Sequence, residues 1–226
     1  MEVLDKIPIH LDTKEVLKGL HLDEKRGYLN GIQELVEVAN SVIAPKAIYE
    51  VSYVDNRNED AVDIGGIKFT SHVLRINLDK IGRVFPYVVT IGNELEDRAA
   101  SLDNLLKQYC LDEMGDEALA LLRRYLEDYL RKKYRLGQIS NMSPGSLEDW
   151  PITQQKQLFS IFGNVEDLIG VKLNPSLLMI PRKSESGTYF PTEAKFYSCQ
   201  LCPRERCQDR QAPYDRKLAE SYSKSG

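Results

Sequence analysis

The chain has 226 residues, 42% of them apolar, and a net charge of −4. That length can bury a full core as one domain, and the basic residues are scattered rather than gathered into a stripe, which argues against a nucleic-acid partner. No apolar run approaches the roughly 20 residues that span a bilayer, and the start, MEVLDKIPIHLDTKEVLKGL, lacks a basic stretch followed by an apolar one. The expectation is a cytoplasmic protein with no membrane partner, in which clustered cysteines point to metal or redox chemistry rather than to disulfides.

Three zones and no internal repeat follow along the chain. The first, to about Gly92, reads as mixed helix and strand. GYLNGIQELVEVANSVIAP is a helix stopped by Pro45, and AIYEVSYV has the alternation and β-branched and aromatic content of a strand. Gly65-Gly66 is a hairpin turn between two short apolar runs. SHVLRINLDKIG reads as helical, and FPYVVTIG as a strand buried on both faces.

The second zone, Asn93 to about Tyr134, is helical. Leu111, Met114, Ala118, Leu122, Tyr125 and Tyr129 recur at spacings of three and four and mark a core-facing stripe. Glu127 with Arg131 and Asp128 with Lys132 make favourable i,i+4 pairs.

The third zone begins with NMSPGSLEDWPITQQKQLFSIFG, a Pro-Gly turn before a helix with Asp149 as N-cap and Pro151 at an early helical position. SESG reads as a polar loop or turn. The segment from Ser198 to Asp215 holds Cys199, Cys202 and Cys207 with the spacing C-x2-C-x4-C. Three thiolates from one loop supply three corners of a tetrahedron. A four-iron cluster with an external fourth ligand, a zinc site completed by another residue, and free thiols acting as a redox relay all fit. Cys110 lies in an apolar helical pattern and reads as buried and inert. His10, His21 and His72 form no triad and no metal spacing. The tail APYDRKLAESYSKSG reads as loosely ordered.

DEMGDEALALL, SPGSLEDWPITQQKQLF, IGVKLNPSLLMIPRKSESGTYF and CQLCPRERCQDRQAPYD, in that order, resemble the activation domain of cobalamin-dependent methionine synthase, in the stand-alone form that ends in a cysteine motif. The likeness covers roughly Tyr87 to Asp215. It implies a single α+β domain over residues 1–226, with a twisted antiparallel-rich sheet, flanking helices and a cysteine-rich segment at 198–215.

In that family, S-adenosylmethionine binds beside the cobalamin of a corrinoid protein. One electron from a flavodoxin or ferredoxin is trapped there by methyl transfer, and no side-chain base is needed. The resemblance places the ligand loop, of form Arg-x-x-Pro-Gly-Tyr, at Asn141, Met142, Ser143, Pro144, Gly145 and Ser146. Asn141 stands in place of the arginine that pairs with the ligand carboxylate, and Ser146 in place of an aromatic residue. Gly145 would let the backbone approach, with exposed N–H groups for the carboxylate, and Arg135 is a substitute cation. Ser184, Ser186, Gly187 and Tyr189 match the family's second ligand segment and are carried over as the cleft wall facing the corrin. Asp128 or Glu127 would meet the positive end of the cosubstrate. Two functions follow: reactivation of a corrinoid protein in trans, or a metal-bearing docking or redox module that does not bind S-adenosylmethionine.

Overall fold

The computed structural model describes residues 1–22, 29–207 and 210–223. Eight strands of those residues form one sheet, β1 (Glu2–Leu4), β2 (Lys46–Tyr49), β3 (Ser52–Arg57), β4 (Ala61–Ile64), β5 (Ile67–Thr70), β6 (Arg83–Thr90), β7 (Ile139–Met142) and β10 (Ser184–Pro191). β8 (Lys172–Leu173) and β9 (Met179–Ile180) make a separate ribbon. Every pairing is antiparallel, as the α+β expectation requires.

β6 is the hub, pairing with β2, β3 and β10. Its residues from Val84 to Thr90 are all buried, which is why FPYVVTIG is largely apolar instead of alternating. AIYEVSYV forms two strands, with Glu50 and Val51 between them. The Gly65-Gly66 turn is as expected: both residues have positive φ, +57° and +78°, which a tight hairpin demands and glycine accepts without strain.

On one face lie α1 (Thr13–Gly19), α2 (Leu29–Val42) and the 30-residue α5 (Leu105–Tyr134). The expected start of the second helix at Gly27 and Tyr28 lies outside the described residues. α5 buries Leu111, Met114, Ala118, Leu122, Leu126 and Leu130. The stripe therefore continues through Leu126 and Leu130, while Tyr125 and Tyr129 are only partly buried beside it. Cys110 is buried on the same helix, and burial raises its thiol pKa, as an inert core cysteine requires.

On the other face are α3 (His72–Asn77), the Trp150 loop and α8 (Arg216–Tyr222). α6 (Gln155–Ser160) and α7 (Val165–Ile169) cover a third cluster around Val88. As far as Ser223, the tail is more ordered than its composition suggests. Asp215 caps α8, Tyr222 stacks on Phe196 at 5.7 Å, and the Tyr222 hydroxyl donates to Asn77 Oδ1 at 3.1 Å.

Asp149 caps a different helix from the one expected. Its carboxylate accepts the backbone N–H groups of His72 (3.2 Å) and Val73 (3.0 Å) and the Ser71 hydroxyl, closing the N-terminus of α3. Pro151 is itself the N-cap of a 3-10 turn over Ile152–Gln154 that leads into α6.

Candidate functional site

β10 and β7 bring the two ligand segments of the sequence together. Asn141 pairs with Tyr189 and Met142 with Thr188 across the ladder, so the Pro-Gly loop leaves the sheet beside the SESG residues. SESG is thus part of a central strand and no loop. Its small polar residues are satisfied internally: Ser184 Oγ donates to Pro181 O at 2.7 Å and lies 2.9 Å from Thr90 Oγ1, whose hydroxyl can donate to it, and Ser186 Oγ accepts from Gln155 Nε2 at 2.8 Å. Both serines are buried, and their hydroxyls hold the strand in place.

Gly187 is required by sterics. A β-carbon there would lie 2.5 Å from the Met142 carbonyl oxygen and 2.6 Å from Ser143 Oγ. Tyr189 is buried and stacks on Tyr87, ring centroids 4.6 Å apart, and its hydroxyl donates to the Arg123 carbonyl at 3.2 Å.

The loop itself is committed to its own turn. Pro144 is buried, and Gly145 takes φ +85°. The Gly145 N–H donates to Trp150 O at 2.7 Å and the Ser146 N–H to Ser143 O at 3.1 Å. The N–H groups of Gly145 and Ser146 are therefore occupied within the loop. Asn141 Nδ2 donates to the Tyr87 hydroxyl at 3.0 Å.

Tyr87 in turn donates to Glu185 Oε1 at 2.7 Å, and Glu185 Oε2 is paired with Arg123 Nη1 at 3.1 Å. Burial, reinforced by the Glu185 charge, holds the Tyr87 hydroxyl well above the usual tyrosine range, so it remains a neutral donor. Burial works against the charge of Arg123, but Glu185 and the neighbouring tyrosines outweigh it and raise its pKa.

Of the two acids on α5, Glu127 is the one beside Tyr189. Its carboxylate meets Lys195 Nζ at 2.6 Å and contributes to raising the pKa of Tyr189. Asp128 is exposed, lies 3.7 Å from Arg131, and is not brought to the site. Arg135 ends α5 in a left-handed conformation, φ +51°, with its backbone N–H bonded back into the helix.

The cysteine segment packs against this site. Ser198 Oγ is 3.3 Å from Ser146 Oγ, and a cavity of about 810 Å³ lies between the two segments, lined by Ser146, Glu148, Asp149, Cys202, Arg204 and Tyr222 among others. Arg210 holds the cysteine loop from within, donating to the carbonyls of Cys199 (3.0 Å), Ala212 (3.1 Å), Cys202 (3.2 Å) and Arg204. Cys199 Sγ accepts the Gln211 N–H at 3.5 Å. Among the described residues, no group of three or more His, Cys, Asp or Glu side chains is placed to hold a metal ion. The expected centre at Cys199, Cys202 and Cys207 is therefore not preformed, the loop being organised instead by the Arg210 guanidinium.

No motif in the sequence marks Tyr87, Arg123, Glu185 or Gln211 as members of this network. Arg123 and Glu127 are one helical turn apart beside the buried stripe, a phase that could have singled them out. Glu185 was hidden by the loop reading of SESG.

No family model matches the chain, and no curated protein does. Among solved structures, one titled as the MetH reactivation domain bound to AdoHcy superposes with a TM-score of 0.58 at 17% identity, covering 87% of this chain and 81% of that one. The fold is thus that of a methionine synthase reactivation domain. Among the described residues, no helix is long and apolar enough to cross a membrane.

Proposed function

We propose that the chain reactivates a corrinoid protein in trans by reductive methylation with S-adenosylmethionine. The observation that carries this reading is the junction of β10 and β7, which sets Tyr189, and Gly187 of SESG, against Asn141 and the Pro-Gly loop. It occurs in a fold shared with a domain that binds AdoHcy, the product of such a methyl transfer. In the reaction, cob(II)alamin on the partner takes one electron from a flavodoxin or ferredoxin. The reduced cobalt then attacks the S-methyl group, the S–CH3 bond breaks with its electron pair left on sulfur, and S-adenosylhomocysteine departs. This chain's residues bind and orient the cosubstrate.

The second reading, a docking or redox module without S-adenosylmethionine, is favoured by one feature. Asn141 cannot offer the charge-assisted contact of an arginine, and the loop N–H groups are occupied. Titration with S-adenosylmethionine separates the two. Reactivation requires a saturable signal, and its absence at millimolar ligand would transfer the weight to the docking module.

Under either reading we propose iron-sulfur or zinc ligation by Cys199, Cys202 and Cys207, for which the loop must close from the arrangement described. Protein purified without oxygen is expected to carry about one centre per chain, since metal binding orders such a loop. Each of the three Cys→Ser changes should remove it, while Cys110→Ser should not. Metal-free anaerobic protein with an equally ordered segment would leave the three as redox-active thiols.

A further inference from the structure

The amino-acid end of an S-adenosyl ligand is a zwitterion, with a carboxylate and an ammonium on one carbon. The Pro-Gly loop offers that carboxylate neither a charge nor a free N–H at Gly145 or Ser146. Arg123 brings a guanidinium to the same hydrogen-bonded network from α5, linked to Asn141 through Glu185 and Tyr87. Its side chain is 29% exposed and that of Glu185 23%, so both can be reached from solvent.

The remaining partner of Arg123 is the informative one. With the Gln211 amide assigned so that its oxygen, not its NH2, faces the guanidinium donors, that oxygen lies 3.2 Å from Nη1 and 3.1 Å from Nη2. A neutral oxygen thus occupies the fork on which arginine binds carboxylates with two parallel hydrogen bonds, a stronger charge-assisted contact. Glu185 accepts one hydrogen bond on each oxygen, from Tyr87 and from Arg123. A carboxylate has about four lone-pair sites, so capacity for an ammonium remains.

We propose that Arg123 and Glu185 hold the amino-acid end of an S-adenosyl ligand, its carboxylate taking the guanidinium fork from Gln211 and its ammonium meeting Glu185. The proposal rests on the reading above that the chain binds such a ligand. It also links the ligand to the thiols. The Gln211 N–H lies on Cys199 Sγ, and its neighbour Arg210 holds the carbonyls of Cys199 and Cys202. Displacing Gln211 from Arg123 therefore loosens the cysteine loop.

The full chain is titrated calorimetrically with S-adenosylhomocysteine and with 5′-methylthioadenosine, which lacks the amino-acid end. The wild type should bind the first more tightly. Arg123→Gln should weaken S-adenosylhomocysteine roughly 10- to 100-fold, the loss of one charge-assisted pair, and leave methylthioadenosine unchanged. Arg123→Lys should recover part of the loss. Saturating S-adenosylhomocysteine should speed the reaction of the wild-type cysteines with a disulfide reagent, and methylthioadenosine should not. Equal wild-type affinity for the two nucleosides would overturn the clamp while leaving the S-adenosyl reading in place, and this comparison decides even where Arg123→Gln folds poorly. A well-folded Arg123→Gln protein that binds S-adenosylhomocysteine as the wild type does would also overturn it. Failure of the wild type to bind either nucleoside at millimolar concentration would overturn the clamp and the functional reading together.

Discussion

Replacing Gly187 by alanine is expected to destabilise the protein by about 3 kcal/mol, the upper range for forcing an extra methyl group into a packed interior. The new β-carbon would stand 2.5 Å from the Met142 carbonyl oxygen, 2.6 Å from Ser143 Oγ and 3.2 Å from the Tyr87 ring. The closest of these is backbone in the adjoining strand, so relief requires β7 to move away from β10. That movement would disturb the pairing of Tyr189 with Asn141 and displace the Pro-Gly loop. Denaturant unfolding of Gly187→Ala beside Gly137→Ala checks this, because a β-carbon at Gly137 meets nothing within 4 Å. Equal stability of the two variants would mean that the close approach of the strands is not maintained in solution.

Trp150→Ala should cost about 3 to 5 kcal/mol, the range for deleting a large buried aromatic side chain. The indole is fully buried and meets Phe69 edge-on at 5.9 Å, and the Trp150 carbonyl accepts the Gly145 N–H that closes the loop. Among the described residues, its Nε1 has no hydrogen-bond partner. Trp150→Phe, which keeps a ring and removes the unpaired N–H, should therefore cost much less than alanine. Thermal melts of the two variants measure the difference, and equal losses would show that the indole N–H is satisfied in solution.

These sites also show how much of the protein can be read from its sequence. The buried hub strand, the Gly65-Gly66 hairpin and the long helix are set by local composition and periodicity, and the chain folds accordingly. SESG is different, because its polarity describes a loop until Thr90 and Gln155 are known to satisfy its hydroxyls. Asp149 sits in a helix-start pattern for its own segment, yet its carboxylate serves backbone groups 76 and 77 positions away. Spacing along one segment carries no information about such a partner. The cysteines were legible as a cluster, but the role of Arg210 at the centre of their loop depends on how the chain turns back on itself.

As proposed, this chain supports methylation of a corrinoid held by another protein. The direct measurement mixes it, without oxygen, with the cobalamin-binding part of a methionine synthase in the cob(II)alamin state, S-adenosylmethionine and a one-electron donor, and follows the visible spectrum. Conversion to methylcobalamin is expected at a rate that rises with the amount of this chain and falls in Arg123→Gln. Conversion no faster than in its absence, with S-adenosylmethionine shown to be bound, would contradict the proposal.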